Sequence, residues 1–364
     1  MKKIILFILI VILFPQAFVA AEEFVQDFGQ DEIREALPET AQEYMENIKP
    51  LELTFSAVVS EIWELLKKEV TKPLKMLVSL TGVIILCAAA ETLRASGEKA
   101  GSNSHAFEIA GVLAGAGIMS ASIAESVTRT SQTLTAAAAF MLTFIPILAG
   151  IMAVMGQVVS AGLFNTSVLL AAQLFSQVMV TALMPLSASI LGVSIAGAVS
   201  PDLKTENLAK TVKTVVIWVL GFLATVFTGL LTVQSLVSGN TDTVTMKAVK
   251  FTVSGGVPII GGAVSDALGV VNGSVAVLKS STGAFGIISI VAVCLPSIIS
   301  VVCFRIALSL AGAVSDMFGS ARLSSLLKSG ESVLSVILAM SVCFMLIMLV
   351  SVALMIKIGS GGGL

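Results

Sequence analysis

Apolar runs long enough to cross a bilayer follow one another along most of this chain, and that constrains the fold before anything else does. The candidate runs are Leu74–Leu93, Phe107–Val127, Leu134–Met155, Leu163–Met184, Val212–Val237, Val249–Val271, Phe285–Phe304 and Val333–Ile356. A helix of about 20 residues crosses about 30 Å of hydrocarbon at 1.5 Å per residue. Lipid offers the backbone no hydrogen bonds, so each run must satisfy its own amides, which a helix does. Only 12% of the residues are charged and 56% are hydrophobic, whereas a soluble domain carries roughly a quarter charged. The expectation is an all-α fold, a polytopic transmembrane helix bundle.

The start of the chain differs from the rest. Lys2 and Lys3 precede an apolar run, Ile4–Phe14, that is too short to span and ends at Pro15. Val19-Ala20-Ala21 supplies small residues for a cut after Ala21. Residues 1–21 therefore read as a signal peptide, with an uncleaved anchor as the alternative, and the segment after it is exported. Residues 22–73 form an acidic exported segment; 13 of the 23 acidic residues of the chain lie between Glu22 and Glu69. Near its end Val58, Val59, Ile62, Trp63, Leu65 and Leu66 recur at helical spacing among Glu61, Glu64, Lys67 and Lys68. This amphipathic helix either lies on the membrane with Trp63 at headgroup height or packs on the rest of the protein.

The apolar body carries signs of internal duplication. Ala196-Gly197-Ala198-Val199-Ser200 recurs as Ala311-Gly312-Ala313-Val314-Ser315, with Asp202 and Asp316 following. Pro146-Ile147-Leu148-Ala149-Gly150 resembles Pro258-Ile259-Ile260-Gly261-Gly262, and Pro185 finds a counterpart in Pro296. After the first membrane segments, 74–133, the expectation is thus two copies, 134–245 and 246–360, each with helices broken or re-entrant at its prolines. Leaving out Phe107–Val127, which carries Glu108 and Glu125, gives seven spans. Loop charge leaves open whether the copies are inverted or parallel.

Soluble-enzyme chemistry finds little support. The one histidine, His105, sits in a polar stretch, and there is no HExxH, phosphate-loop or dinucleotide motif. Cys87, Cys294, Cys303 and Cys343 lie in apolar runs without CxxC spacing. No catalytic residue, metal site, cofactor or nucleic-acid partner is expected. Ionisable groups in the apolar body are few: Glu91, Glu125, Asp266, Arg305 and Asp316. Such groups are costly in lipid, so Arg305 calls for a carboxylate, with Asp266 and Asp316 as candidates. A substrate path would use Arg305, Asp266 and Asp316 together with the breaks at Gly255, Gly256, Pro258, Gly261 and Gly262. The competing interpretation makes the charges structural ion pairs and the glycines points of close helix approach.

Residues 229–283 add a resemblance. Gly229-Leu230-Leu231-Thr232-Val233-Gln234 is followed by Lys250-Phe251, Val257-Pro258-Ile259-Ile260-Gly261-Gly262, Ser265-Asp266, Leu278-Lys279-Ser280 and Gly283. This resembles the stage III sporulation protein AE family of endospore-forming bacteria, as does the layout of signal peptide, acidic head and polytopic body. The resemblance implies a multi-pass protein of the mother-cell membrane around the forespore. It implies membership of a channel, or feeding tube, with other stage III sporulation channel proteins and, through the complex, a forespore membrane partner. A conduit or permease-like core is the role so implied; the alternative is a membrane scaffold that anchors the other subunits without a path of its own. The family supplies no catalytic residues to carry over.

Overall fold

The computed structural model describes residues 55–95, 104–199, 210–234 and 261–357. These are helical almost throughout, with no strand among the described residues. In chain order the helices are α1 (Phe55–Ala95), α2 (Ser104–Val154), α3 (Val158–Val178), α4 (Met184–Val199), α5 (Lys210–Gln234), α6 (Gly261–Met317) and α7 (Ala321–Lys357). A π-helical turn, Met179–Leu183, joins α3 to α4 without interruption. Counting that pair once, six helices are long and apolar enough to cross a membrane.

Two of them far exceed a bilayer. Helix α2 has 51 residues and α6 has 57, about 76 and 85 Å at the usual rise. The expected spans Phe107–Val127 and Leu134–Met155 are therefore one helix, continuous through the polar stretch Thr128–Thr133. Nor do the prolines break the helices as the repeat reading expected. Pro73, Pro146 and Pro296 lie inside continuous helices. Pro185 is the second residue of α4, just past the π turn, where the widened ladder accommodates a residue that cannot donate an N–H. Of the expected span Val249–Val271, the part before Gly261 lies outside the described residues, as do residues 1–54, on which the expected signal peptide and most of the expected acidic head fall.

The real breaks are two tight turns. Helix α2 ends at Gly156 (φ 79°) and α6 at Gly319 (φ 76°). Gly156 N–H donates to the Ala153 carbonyl at 2.9 Å and Gln157 N–H to the Met152 carbonyl at 3.0 Å. Gly319 N–H donates to Asp316 and Ser320 N–H to Ser315, both at 3.1 Å. Each is a Schellman cap: a left-handed residue lets the chain fold back, and glycine adopts that conformation without a Cβ penalty.

Contacts fix the registers, and every neighbouring pair named here is antiparallel. On α1, Glu69 and Cys87 face Arg129 and Gly111 of α2. On α6, Gly286 and Ser297 face Phe144 and Thr130 of α2. On α7, Leu327 and Ile356 face Gly312 and Gly283 of α6. On α5, Phe227 and Gln234 face Phe175 and Ser167 of α3. Helices α2 and α6 thus run in opposite directions, and their glycine turns lie at opposite ends of the bundle. The core between them is apolar: Met119, Ile123, Phe140, Phe144, Met340, Phe344 and Met348 are fully buried. Four of the buried serines are satisfied within their own helices. Ser187, Ser289, Ser341 and Ser351 each donate to the carbonyl four residues back on their own helix.

Candidate functional site

About midway between the two turns, three helices bring polar groups together. Helix α1 is amphipathic in its first half because Glu69 and Lys72 stand one turn apart. Helix α2 presents Glu125 and Arg129 with the same logic at i, i+4. Antiparallel pairing sets each acid opposite a base. The Arg129 guanidinium grips the Glu69 carboxylate in bidentate fashion, with Nη2 donating to Oε1 at 2.6 Å and Nη1 to Oε2. Lys72 pairs with Glu125 alongside. Glu69 is 10% exposed and Arg129 35%, so the inner pair is shielded and the outer pair is open.

Helix α6 closes the cluster from a third side. Arg129 Nη1 also donates to Ser300 Oγ at 3.2 Å, and the buried hydroxyls of Thr130 and Ser297 hydrogen-bond at 3.2 Å. A cleft of about 460 Å³ opens beside the cluster, lined by Ala124, Glu125, Thr128, Arg129 and Gln132. It has the volume of a small-molecule pocket, but it is an open groove along one face of α2. Its groups are donors and acceptors in balance: one acid, Glu125, and one base, Arg129, with the neutral hydroxyl of Thr128 and amide of Gln132. That composition suits polar or hydrated solutes at an apolar wall more than a single strongly charged ligand. No group of three or more His, Cys, Asp or Glu side chains that could hold a metal occurs among the described residues.

The residues singled out from sequence fall elsewhere. Arg305 does have a carboxylate partner, but it is Glu331 of α7, with Nη2 at 3.2 Å and Nε at 3.3 Å from Oε1. Asp316 is exposed near the Gly319 turn, where Lys328 Nζ donates to it at 2.8 Å and Ser324 also donates. The hairpin register decides this: folding α7 back on α6 brings Glu331 beside Arg305 and Lys328 beside Asp316. Gly261, Gly262 and Asp266 belong to the first turns of α6, where the backbone alone is described. Gly255, Gly256 and Pro258 lie outside the described residues. Among the described side chains of that set, Asp316 is not brought to Arg305.

Sequence reading missed Glu69, Arg129, Thr130, Ser297 and Ser300. The available signal was the polar interruption Thr128-Arg129-Thr130-Ser131-Gln132-Thr133 between two apolar runs, which reads as a loop unless a partner for Arg129 is sought. At the far end of the bundle Lys279 is 2% exposed and its ammonium donates to Gln157 Oε1 at 3.2 Å, beside the Gly156 turn.

Comparison with known proteins places these features in a lineage. The family described as stage III sporulation protein AE matches residues 40–359. A relative, stage III sporulation protein AE of Bacillus subtilis (strain 168), is 27% identical over 192 residues, which is 53% of this chain and 47% of the relative. The match thus spans about half the length of that curated relative. No solved structure matches.

Proposed function

The chain belongs to the stage III sporulation protein AE family, and from that premise we propose that it is an integral membrane subunit of the channel complex between mother cell and forespore. In this reading it resides in the mother-cell membrane, its head exported after signal-peptide cleavage. It works with the other stage III sporulation channel proteins and supplies a conduit or permease-like core for forespore development. It is not an enzyme; its chemistry is the stabilisation of polar groups inside an apolar bundle.

The observation that carries the conduit is the cluster of Glu69, Arg129, Ser300, Thr130 and Ser297 with its open cleft. Charged groups among apolar helices are costly, and a shielded set of them beside an open cleft is the natural place to look for a path. Among the described residues, Phe140 and Phe144 fill the contact between α2 and α6, so in this reading the path runs along the cleft side of α2. Arg305–Glu331 and Asp316–Lys328 are structural pairs in this reading.

The test separates a conduit from a scaffold. Arg129→Gln, which leaves Glu69 without its partner, should lower spore yield at least tenfold and by far more than it lowers membrane abundance or co-purification with the other subunits, and Arg129→Lys should recover part of the loss. If the chain is instead a scaffold, deletion of residues 22–70 abolishes assembly while Arg129→Gln and Glu69→Gln sporulate like the parent. That second outcome would remove the conduit.

A further inference from the structure

The registers allow a common height scale, and on it the charges and tryptophans sort into a band. Trp63 of α1 lies level with about residue 134 of α2. Trp218 of α5 lies level with about residue 128, carried across by the α3 pairing and the Gly156 hairpin. The two heights differ by about 9 Å. These are the two tryptophans of the chain, and both are strongly exposed, at 57% and 76%. Exposed Lys67, Lys68, Lys72 and Lys75 follow Trp63 on α1, and Lys210 and Lys213 lie at the same height on α5. Lys67 also reaches over the Trp63 ring, 5.9 Å from its centroid.

On one side of this band the described stretches of α2, α3, α5, α6 and α7 carry no charge until their ends, and Glu61 of α1, half a turn before Trp63, falls at the height of the band itself. Stretches 130–156 of α2 and its turn, 158–178 of α3, 214–234 of α5, 280–304 of α6 and 332–356 of α7 contain no Asp, Glu, Lys, Arg or His. The next ionisable groups are Lys279, beside Gln157, and Lys357, one residue past the Ile356 that packs on Gly283. From the tryptophans to that end is about 30 Å, the thickness of a hydrocarbon core. On the other side lie Arg305–Glu331 and Asp316–Lys328, the last pair exposed at the Gly319 hairpin.

We infer that the bilayer covers only one half of this bundle, between a headgroup belt at Trp63, Trp218 and the α1 lysines and the Gln157–Lys279–Lys357 end, and that the belt binds anionic phospholipid. Indoles sit where an apolar ring meets polar headgroups, and lysines extend their stems along hydrocarbon and place their ammonium groups among phosphates. Glu64 and Glu125 pair with Lys67 and Lys72; by sequence, four lysines of α1 and two of α5 at this height stand against Glu61, Glu64 and Glu125, with Glu69 matched by Arg129, so the belt is net positive. The Gly319 hairpin, α4 and the second half of α1 then project beyond the headgroups. Although α1 is apolar enough to span, its register sets Val78, Ile85 and Leu86 outside the slab. The cleft beside Arg129 lies at the membrane boundary rather than at the midplane. This placement rests on heights and exposure and stands apart from the conduit.

The two tryptophans make it measurable in the full chain, reconstituted in vesicles of phosphatidylcholine and phosphatidylglycerol. Trp218→Phe and Trp63→Phe each leave one indole. A nitroxide on the headgroup should quench both indoles at least twofold better than a nitroxide at the chain terminus. Leu86→Trp in the double Trp→Phe background should be quenched by aqueous iodide and spared by the chain-terminal label. Strong chain-terminal quenching at Trp63, Trp218 or position 86 would overturn the boundary. Brominated phosphatidylglycerol should quench Trp63 several-fold better than brominated phosphatidylcholine, and Lys67→Gln with Lys75→Gln should bring the ratio to about one. Equal quenching by the two lipids in the parent would overturn the anionic-lipid belt.

Discussion

Gly286→Ala probes the contact on which the opposed long helices depend. A Cβ at Gly286 would lie 2.0 Å from Phe144 Cζ and 2.4 and 2.7 Å from the two Cε atoms. The ring cannot retreat: Phe144 is fully buried and stacks on Phe140 with centroids 5.4 Å apart. Overpacking of this kind costs typically about 1–3 kcal/mol, against about 0.5–1 kcal/mol that alanine gains over glycine in a helix. Gly150, on α2, has nothing within 4 Å of its would-be Cβ, so Gly150→Ala should show the helix gain alone. The two variants should therefore differ by about 1–3 kcal/mol, with Gly286→Ala the less stable. Unfolding in mixed micelles with increasing SDS, followed by tryptophan fluorescence, measures the difference. Phe144→Leu should return much of the loss in the Gly286→Ala background and be non-additive with it. Equal stability of Gly286→Ala and Gly150→Ala, or strict additivity with Phe144→Leu, would refute the close crossing of α2 and α6.

Three further outcomes follow from the same geometry. Glu69→Gln should destabilise the bundle by about 1–3 kcal/mol, because it leaves the Arg129 guanidinium facing a neutral amide in a shielded site, and the exchanged pair Glu69→Arg with Arg129→Glu should recover part of the loss in the same SDS titration. Glu331→Gln should cost less than about 1 kcal/mol, since Arg305–Glu331 is more open to its surroundings than Glu69. Gly319→Ala should cost about 1–2 kcal/mol from the left-handed backbone alone, because its Cβ would meet nothing within 4 Å; Gly319→Asn should cost visibly less, which thermal unfolding of the purified variants would register.

What sequence revealed and what it concealed divide along a physical line. Helical spans in lipid were legible because backbone satisfaction and hydrocarbon thickness act on each segment alone. The need of Arg305 for a carboxylate was legible for the same reason, but its identity was not, since Glu331 arrives only through the register of the Gly319 hairpin. The continuity of α2 through Thr128–Thr133 was concealed because Glu69, Ser297 and Ser300, from two other helices, satisfy what would otherwise be a polar break. The prolines misled in the opposite sense: local rules break a helix at Pro146 and Pro296, while long flanking turns packed on neighbours hold it together. Gly156 and Gly319, where the chain does reverse, stand among many glycines in the sequence and are set apart only by their backbone conformation.

The claim underlying the site, the belt and the hairpins is that α2 and α6 run in opposite directions and end in turns at opposite faces of the bundle. Sided thiol labelling tests it most directly. With the four native cysteines replaced, Gln157→Cys and Ser320→Cys would each be exposed to a membrane-impermeant maleimide in sealed, uniformly oriented vesicles. The account predicts that one position is labelled from outside and the other only after the vesicles are opened. Labelling of both positions from the same side would contradict it.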